Sequence, residues 1–196
     1  LARLLLRKNR NGLGSHTKTV KTANQLAARN VRGHYGDMTL CHVTRTLSSP
    51  HDTADLATRI AAALRPGDCL LLKGPIGAGK THFSRHLIQS LLSVAEDVPS
   101  PTFTLVQTYD VPTGELWHAD LYRLSSLDEV EELGLIDAFD SAICLIEWPD
   151  RLAELTPPHA LHLSLSLDPD NADTRHLTFT WNDEKWQHLM DRIDND

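Results

Sequence analysis

Residues 73–82 read KGPIGAGKTH, and Gly74, Gly79, Lys80 and Thr81 satisfy the spacing G-x-x-x-x-G-K-[ST]. Each residue type serves phosphate binding. Glycines let the backbone turn tightly enough for several N–H groups to point at one oxyanion. The helix that follows adds the partial positive charge of its N-terminus. The Lys80 ammonium can reach β- and γ-phosphate oxygens, and the Thr81 hydroxyl can ligate Mg²⁺. A magnesium–nucleotide site needs a further carboxylate, usually at the end of a neighbouring buried strand. Two stand in such places, Asp120 closing LWHAD and Glu147 closing AICLIE, and the pattern alone leaves both open. SPTFT (100–104) supplies Ser100 and Thr102 in a proline-braced loop of the kind that senses a γ-phosphate. An ordinary turn is the competing reading.

These groups need elements to hold them. CLLL (69–72) is a short continuous apolar run, as in a strand buried on both faces, and it leads straight into the glycine loop. After the loop, THFSRHLIQSLL has Phe83, Leu87, Ser90 and Leu91 on one helical face. Strand, glycine loop and helix in that order are the context a phosphate loop requires. Upstream, TLCHVTRTL alternates weakly as a strand. A helix follows, with Ser49 as N-cap, Pro50 at its first position and Ala57, Ile60, Ala61 and Leu64 on one face. Residues 103–122 form two strands around a Pro-Thr-Gly turn. SLDEVEELGL reads as one short acidic helix stopped by Gly134, and AICLIE as a second buried strand. HALHLSLSL and RHLTFTW form a further hairpin, and a closing helix has Asn182 as its cap. A strand–loop–helix core flanked by hairpins predicts a three-layer α/β domain of P-loop type with a mixed central sheet, over residues 38–196.

Composition bounds the function. The chain has 196 residues and 41% hydrophobic content, enough for one such domain. No apolar run approaches the ~18 residues of a membrane span. Cys41, Cys69 and Cys144 are scattered and read as small core hydrophobes in a reducing compartment, and a cytoplasmic protein is expected. The net charge of −7 hides an asymmetry: residues 1–36 carry eight bases and no acid, and all 26 acids lie beyond them. A body that acidic is not expected to bind RNA unaided. Residues 1–37 lack periodicity and read as a disordered leader or translated upstream sequence. A transit-type peptide and a nucleic-acid-binding arm are the alternatives.

GPIGAGKTHF, SPTFTLVQTYD, HADLYRL, EELGLIDAF and LIEWPDRL, in this order and spacing, closely resemble the TsaE family. These are small bacterial P-loop ATPases of tRNA threonylcarbamoyladenosine biosynthesis. The likeness runs from about Met38 through Trp181. It implies a P-loop α/β fold in which Ile76, Gly77, Ala78, Gly79, Lys80 and Thr81 wrap the phosphates of ATP. It implies Mg²⁺ held by Thr81 and Glu147, with Thr102 and Asp120 near the γ-phosphate and the attacking water. It further implies partners, TsaD and TsaB, with ATP binding assembling the complex and hydrolysis resetting it. Transfer RNA would then be met only through that complex. Pro75, Ile76 and His82 depart from the family pattern, and Pro75 has no N–H to offer a phosphate.

Lesser signals fill out the reading. Lys80, Thr102, Asp120 and Glu147 are the catalytic candidates. Arg175, in the last hairpin, is placed among the nucleotide-binding residues because few arginines are available; a surface charge at a strand edge is the alternative. His118 is expected to support Asp120. His82 and His86, four apart, are expected to face solvent, and Trp148 to pack, with a place near the nucleotide as the alternative. Two rival functions stand beside a slow ATPase: a small-molecule kinase, and a binding module that never hydrolyses. The kinase needs an arginine-bearing lid, and only Arg123 and Arg151 lie between the helix after the glycine loop and the last hairpin.

Overall fold

A computed structural model describes residues 40–195 of the chain. The basic segment 1–37 and Met38 lie outside the described residues. Local signals start the first helix as the pattern requires. Ser49 Oγ accepts from the N–H of Asp52 and Pro50 takes the first position, so α1 runs Pro50–Ala61 with Leu56, Ala57, Ile60 and Ala61 buried.

The strands are β1 (Cys41–Leu47), β2 (Cys69–Lys73), β3 (Val106–Val111), β4 (Gly114–Asp120), β5 (Ile143–Glu147), β6 (Leu161–Leu167) and β7 (Arg175–Trp181). They form one sheet in the order β1-β7-β6-β2-β5-β4-β3. Its centre, β6-β2-β5-β4, is parallel. The flanking pairs β1/β7, β7/β6 and β3/β4 are antiparallel. The mixed sheet is the one expected. β2 and β5 are buried on both faces, which is why both read as unbroken apolar runs.

Two cores sandwich the sheet. On one face Leu70, Leu72, Leu145, Leu163 and Phe179 meet α1, α2 (Lys80–Leu91) and α5 (Glu184–Asn195) through Ile60, Phe83, Leu87, Trp186 and Met190. On the other, Leu71, Cys144 and Ile146 meet α3 (Leu127–Glu132) and α4 (Leu135–Ser141) through Val130, Leu135 and Phe139. Each fully buried Leu or Phe contributes roughly 2 kcal/mol of transfer free energy, so the central strands are held rigidly from both sides.

Three local expectations need correction. The buried face of α2 is Phe83, Ser84, Leu87 and Ile88, and Ser90 is exposed. Four-residue steps from Phe83 and Ser84 trace that stripe; Ser90 lies beyond its Phe83 edge, about a quarter-turn from its centre. The acidic helix stops at Glu132, and Gly134 opens a second helix, α4, that the sequence reading missed. Finally, Asp183 rather than Asn182 accepts from the backbone at the start of α5, through the N–H of Lys185. The Asn182 amide donates to Pro158 O instead.

Candidate functional site

Parallel strands end at one edge of a sheet, and that edge is where the expected residues meet. Leu72 of β2 and Asp120 of β4 both pair with Glu147, which ends β5 between them. The glycine loop leaves β2 one residue later, and α2 starts at Lys80. Two glycines shape the loop. Gly74 has φ +152°, and a Cβ there would lie 2.4 Å from Leu165 O on β6. Gly77 has φ +80° with open space around it, so only its backbone conformation calls for glycine.

The loop curls over a cleft of about 220 Å³ lined by Ile76, Gly77, Lys80, Thr81, Thr102, Asp120, Tyr122, Glu147 and Trp148. Seven of these nine are site residues expected from sequence. Ala78 is buried beneath the loop and Gly79 half-buried, and neither side lines the cleft. Ile76, by contrast, is 72% exposed at the rim.

Lys80 Nζ donates to Gly74 O at 2.9 Å and Pro75 O at 3.0 Å, and stands 4.1 Å from the centre of the Trp148 ring. Burial lowers the pKa of this ammonium from the ordinary lysine value, and the Glu147 and Asp120 carboxylates oppose that shift. The Thr81 hydroxyl donates to Glu147 Oε2 at 2.9 Å. Glu147 Oε1 lies 2.9 Å from His118 Nε2, and since a carboxylate only accepts, the proton of that bond sits on Nε2. His118 therefore supports Glu147, not Asp120 as expected. Both partners are almost fully buried, and His118 Nδ1 has no hydrogen-bond partner among the described residues.

Asp120 has its own supports. Thr102 Oγ1 donates to Asp120 Oδ2 at 2.7 Å, and the N–H of Tyr122 donates to Oδ1 at 2.9 Å. Ser100 Oγ lies 2.8 Å from Thr102 Oγ1. The backbone ties the same loop to β4, with Asp120 N–H donating to Leu105 O at 2.9 Å. The SPTFT loop is thus fastened to a carboxylate of the cleft, which an ordinary turn would not require.

The structure separates the two carboxylates that the pattern left equal. Glu147 reaches the hydroxyl of the glycine loop, and Asp120 reaches the SPTFT loop. Thr81 and Glu147 present only oxygen donors. Such a pair suits a hard divalent cation that keeps waters and takes phosphate oxygens, as Mg²⁺ does. Soft metals prefer sulfur and imidazole.

Arg175 stands elsewhere. Its guanidinium donates to Ala78 O at 3.2 Å and Gly77 O at 3.4 Å from outside the loop, and to Ala172 O and Thr174 O. It does not line the cleft. Trp148 and Tyr122, by contrast, do; Tyr122 was not assigned there from sequence, and for Trp148 it was the alternative to packing. Their rings contact each other with centres 4.8 Å apart. Trp148 has φ +60°, a costly conformation for an aromatic residue, which turns its ring back under Lys80. Its place immediately after Glu147 was the available signal. His82 bonds Pro50 O through Nε2, with its ring 4.5 Å from that of His86.

The chain is similar to known proteins over most of its length. The sequence model described as "Threonylcarbamoyl adenosine biosynthesis protein TsaE" matches residues 47–177. A Rickettsia bellii protein named "tRNA threonylcarbamoyladenosine biosynthesis protein TsaE" is 38% identical over 132 residues, covering 67% of this chain and 92% of that protein. A Bacillus subtilis protein of the same name is 35% identical over 146 residues, covering 74% and 89%. The crystal structure of Bacillus subtilis YdiB aligns with a TM-score of 0.64 at 28% identity, covering 83% of this chain and 98% of that one. No helix among the described residues is long and apolar enough to cross a membrane.

Proposed function

The chain belongs to the TsaE family, and from that premise we propose that it is a magnesium-dependent ATPase in tRNA threonylcarbamoyladenosine synthesis. In this reading it is a cytoplasmic nucleotide switch that acts with TsaD and TsaB homologues and meets tRNA only through that complex. The observation that carries the reading is the Thr81 hydroxyl at 2.9 Å from Glu147, at the mouth of a glycine loop whose lysine is buried beside it.

The residues divide the work. The loop amides and the Lys80 ammonium bind the phosphates and stabilise charge that grows on the β–γ bridge oxygen during hydrolysis. Thr81 and Glu147 are the ligands that would hold Mg²⁺, which when bound supplies further neutralisation of the phosphate oxygens. His118 orients Glu147, since its buried N–H fixes one carboxylate oxygen and leaves the other for Thr81. Asp120 and Thr102, already joined at 2.7 Å, can accept from and orient the attacking water. Placement and electrostatics of this kind need no covalent intermediate. No arginine among the described residues lines the cleft, so hydrolysis by the isolated protein is slow.

The test is ATP hydrolysis with and without Mg²⁺, alone and with TsaD and TsaB homologues, alongside their association with and without Mg-ATP. Mg²⁺-dependent turnover and ATP-dependent association are expected. Absence of nucleotide binding would overturn the whole reading. Association that ignores the nucleotide would remove the switch and leave the ATPase. Release of ADP only when a small-molecule acceptor is added would favour a kinase.

A further inference from the structure

We infer that Arg175 is a positioning residue for the phosphate loop, acting on the loop's backbone from outside rather than on the nucleotide. This rests on the nucleotide-binding reading above. Four carbonyl oxygens converge on one guanidinium: Gly77 O at 3.4 Å, Ala78 O at 3.2 Å, Ala172 O at 2.7 Å and Thr174 O at 2.8 Å. Two belong to the phosphate loop and two to the turn before β7. One side chain therefore fastens the last hairpin to a loop ninety-seven residues away in sequence.

The consequence follows from the planarity of the peptide group. In a trans peptide the C=O of one residue and the N–H of the next point in opposite directions, and the described chain has no cis bonds. Holding the Gly77 carbonyl outward turns the Ala78 N–H into the loop, where Pro75 O accepts it at 3.2 Å. Holding the Ala78 carbonyl outward turns the Gly79 N–H away from Arg175, toward the concave side. Loop amides offered to a phosphate are effective only if they already point inward. Gly77 has open space and positive φ, so nothing in its own packing fixes that peptide; the clamp is external. Arginine is the residue for this task. Its planar fork reaches several carbonyls at fixed angles, which the point charge of lysine cannot do.

The experiment compares wild type with Arg175→Ala and Arg175→Lys by nucleotide titration and by hydrogen exchange of the nucleotide-free proteins. Arg175→Ala is expected to weaken Mg-ADP and a non-hydrolysable Mg-ATP analogue by the same factor, about tenfold. Arg175→Lys should recover only part of the loss. In the nucleotide-free protein, exchange of the amides at 76–79 should quicken in Arg175→Ala while exchange in α5 is unchanged. Lost affinity with unaltered loop exchange would make Arg175 a direct ligand and overturn the inference. Faster exchange throughout the chain would make it a merely structural residue, with the same result. Unchanged affinity would also overturn it. If wild type binds no nucleotide, the functional reading fails, yet faster loop exchange in the variant still supports the clamp.

Discussion

Lys80→Met tests the centre of the functional reading, because it removes one positive charge and keeps the aliphatic length that packs on Trp148. The ammonium donates to the carbonyls of Gly74 and Pro75 and lies over the Trp148 ring. A phosphate chain would take those hydrogen bonds over, so their number changes little. What the variant loses is the attraction between full charges. Unit charges 4 Å apart attract by about 4 kcal/mol at an effective dielectric constant of about 20. The cleft is open to solvent on one side, so a net loss of about 3 kcal/mol is expected, roughly a hundredfold in affinity. Isothermal titration with Mg-ADP and Mg-ATP measures it directly. Mg-ATP should suffer at least as much as Mg-ADP, since the γ-phosphate adds charge within reach. The unliganded variant should melt within a few degrees of wild type, because Met preserves the packing. Binding of Mg-ATP by Lys80→Met within about threefold of wild type would refute the assignment of this cleft to phosphate.

Other perturbations probe the supports. His118→Leu removes the donor that fixes Glu147, and the Mg²⁺ concentration for half-maximal hydrolysis should rise about tenfold or more. His118→Gln, whose amide can place a donor near the same point, should restore part of this; an unchanged magnesium requirement in the Leu variant would show that Glu147 needs no orienting. Gly74→Ala should destabilise by several kcal/mol, because the new methyl would meet Leu165 O at 2.4 Å. Gly77→Ala should cost only about 1 kcal/mol of backbone strain, and chemical denaturation that ranks the two equally would contradict the loop geometry. Burial pushes the Cys144 thiol up to about 12 from its ordinary 9.0 and raises Cys69 well above that ordinary value. Below about pH 9 both folded and unfolded chains keep these protons; above it only the unfolded chain releases them, so stability falls as pH rises toward 12. In native protein near pH 8 a thiol reagent should leave both unmodified until unfolding, and rapid labelling of Cys144 in the folded state would refute its burial.

Most of the fold was legible because the signals were local. Ser49 and Pro50 announce α1 by capping chemistry, and the unbroken apolar runs of β2 and β5 announce strands covered on both faces. The junction at Gly134 was not legible in the same way. A left-handed glycine closes one helix as readily as it opens the next, and only the burial of Leu135, Ala138 and Phe139 against the sheet decides that α4 exists. His118 shows a similar limit. Its place two residues before Asp120 suggested that carboxylate, but alternate residues of a strand share a face without touching. The partner was instead Glu147 on the adjacent strand, which no spacing along the chain reports.

The site itself divides along the same line. Lys80, Thr81, Asp120 and Glu147 could be found because each sits at the C-terminal end of a strand or in the loop leaving one, and parallel pairing of β2, β5 and β4 carries all three ends to one edge. Topology thus converts three distant motifs into one cleft, and it needs only the buried runs to do so. Arg175 could not be placed by that logic. β7 runs antiparallel to β6, so its first residue, not its last, comes to the edge where the glycine loop lies. A residue that starts an antiparallel strand carries no motif. What identifies it is the set of carbonyls it faces. The residues proposed to bind phosphate were therefore readable as types and spacings, whereas the residue proposed to hold their backbone became visible only from the direction of peptide groups.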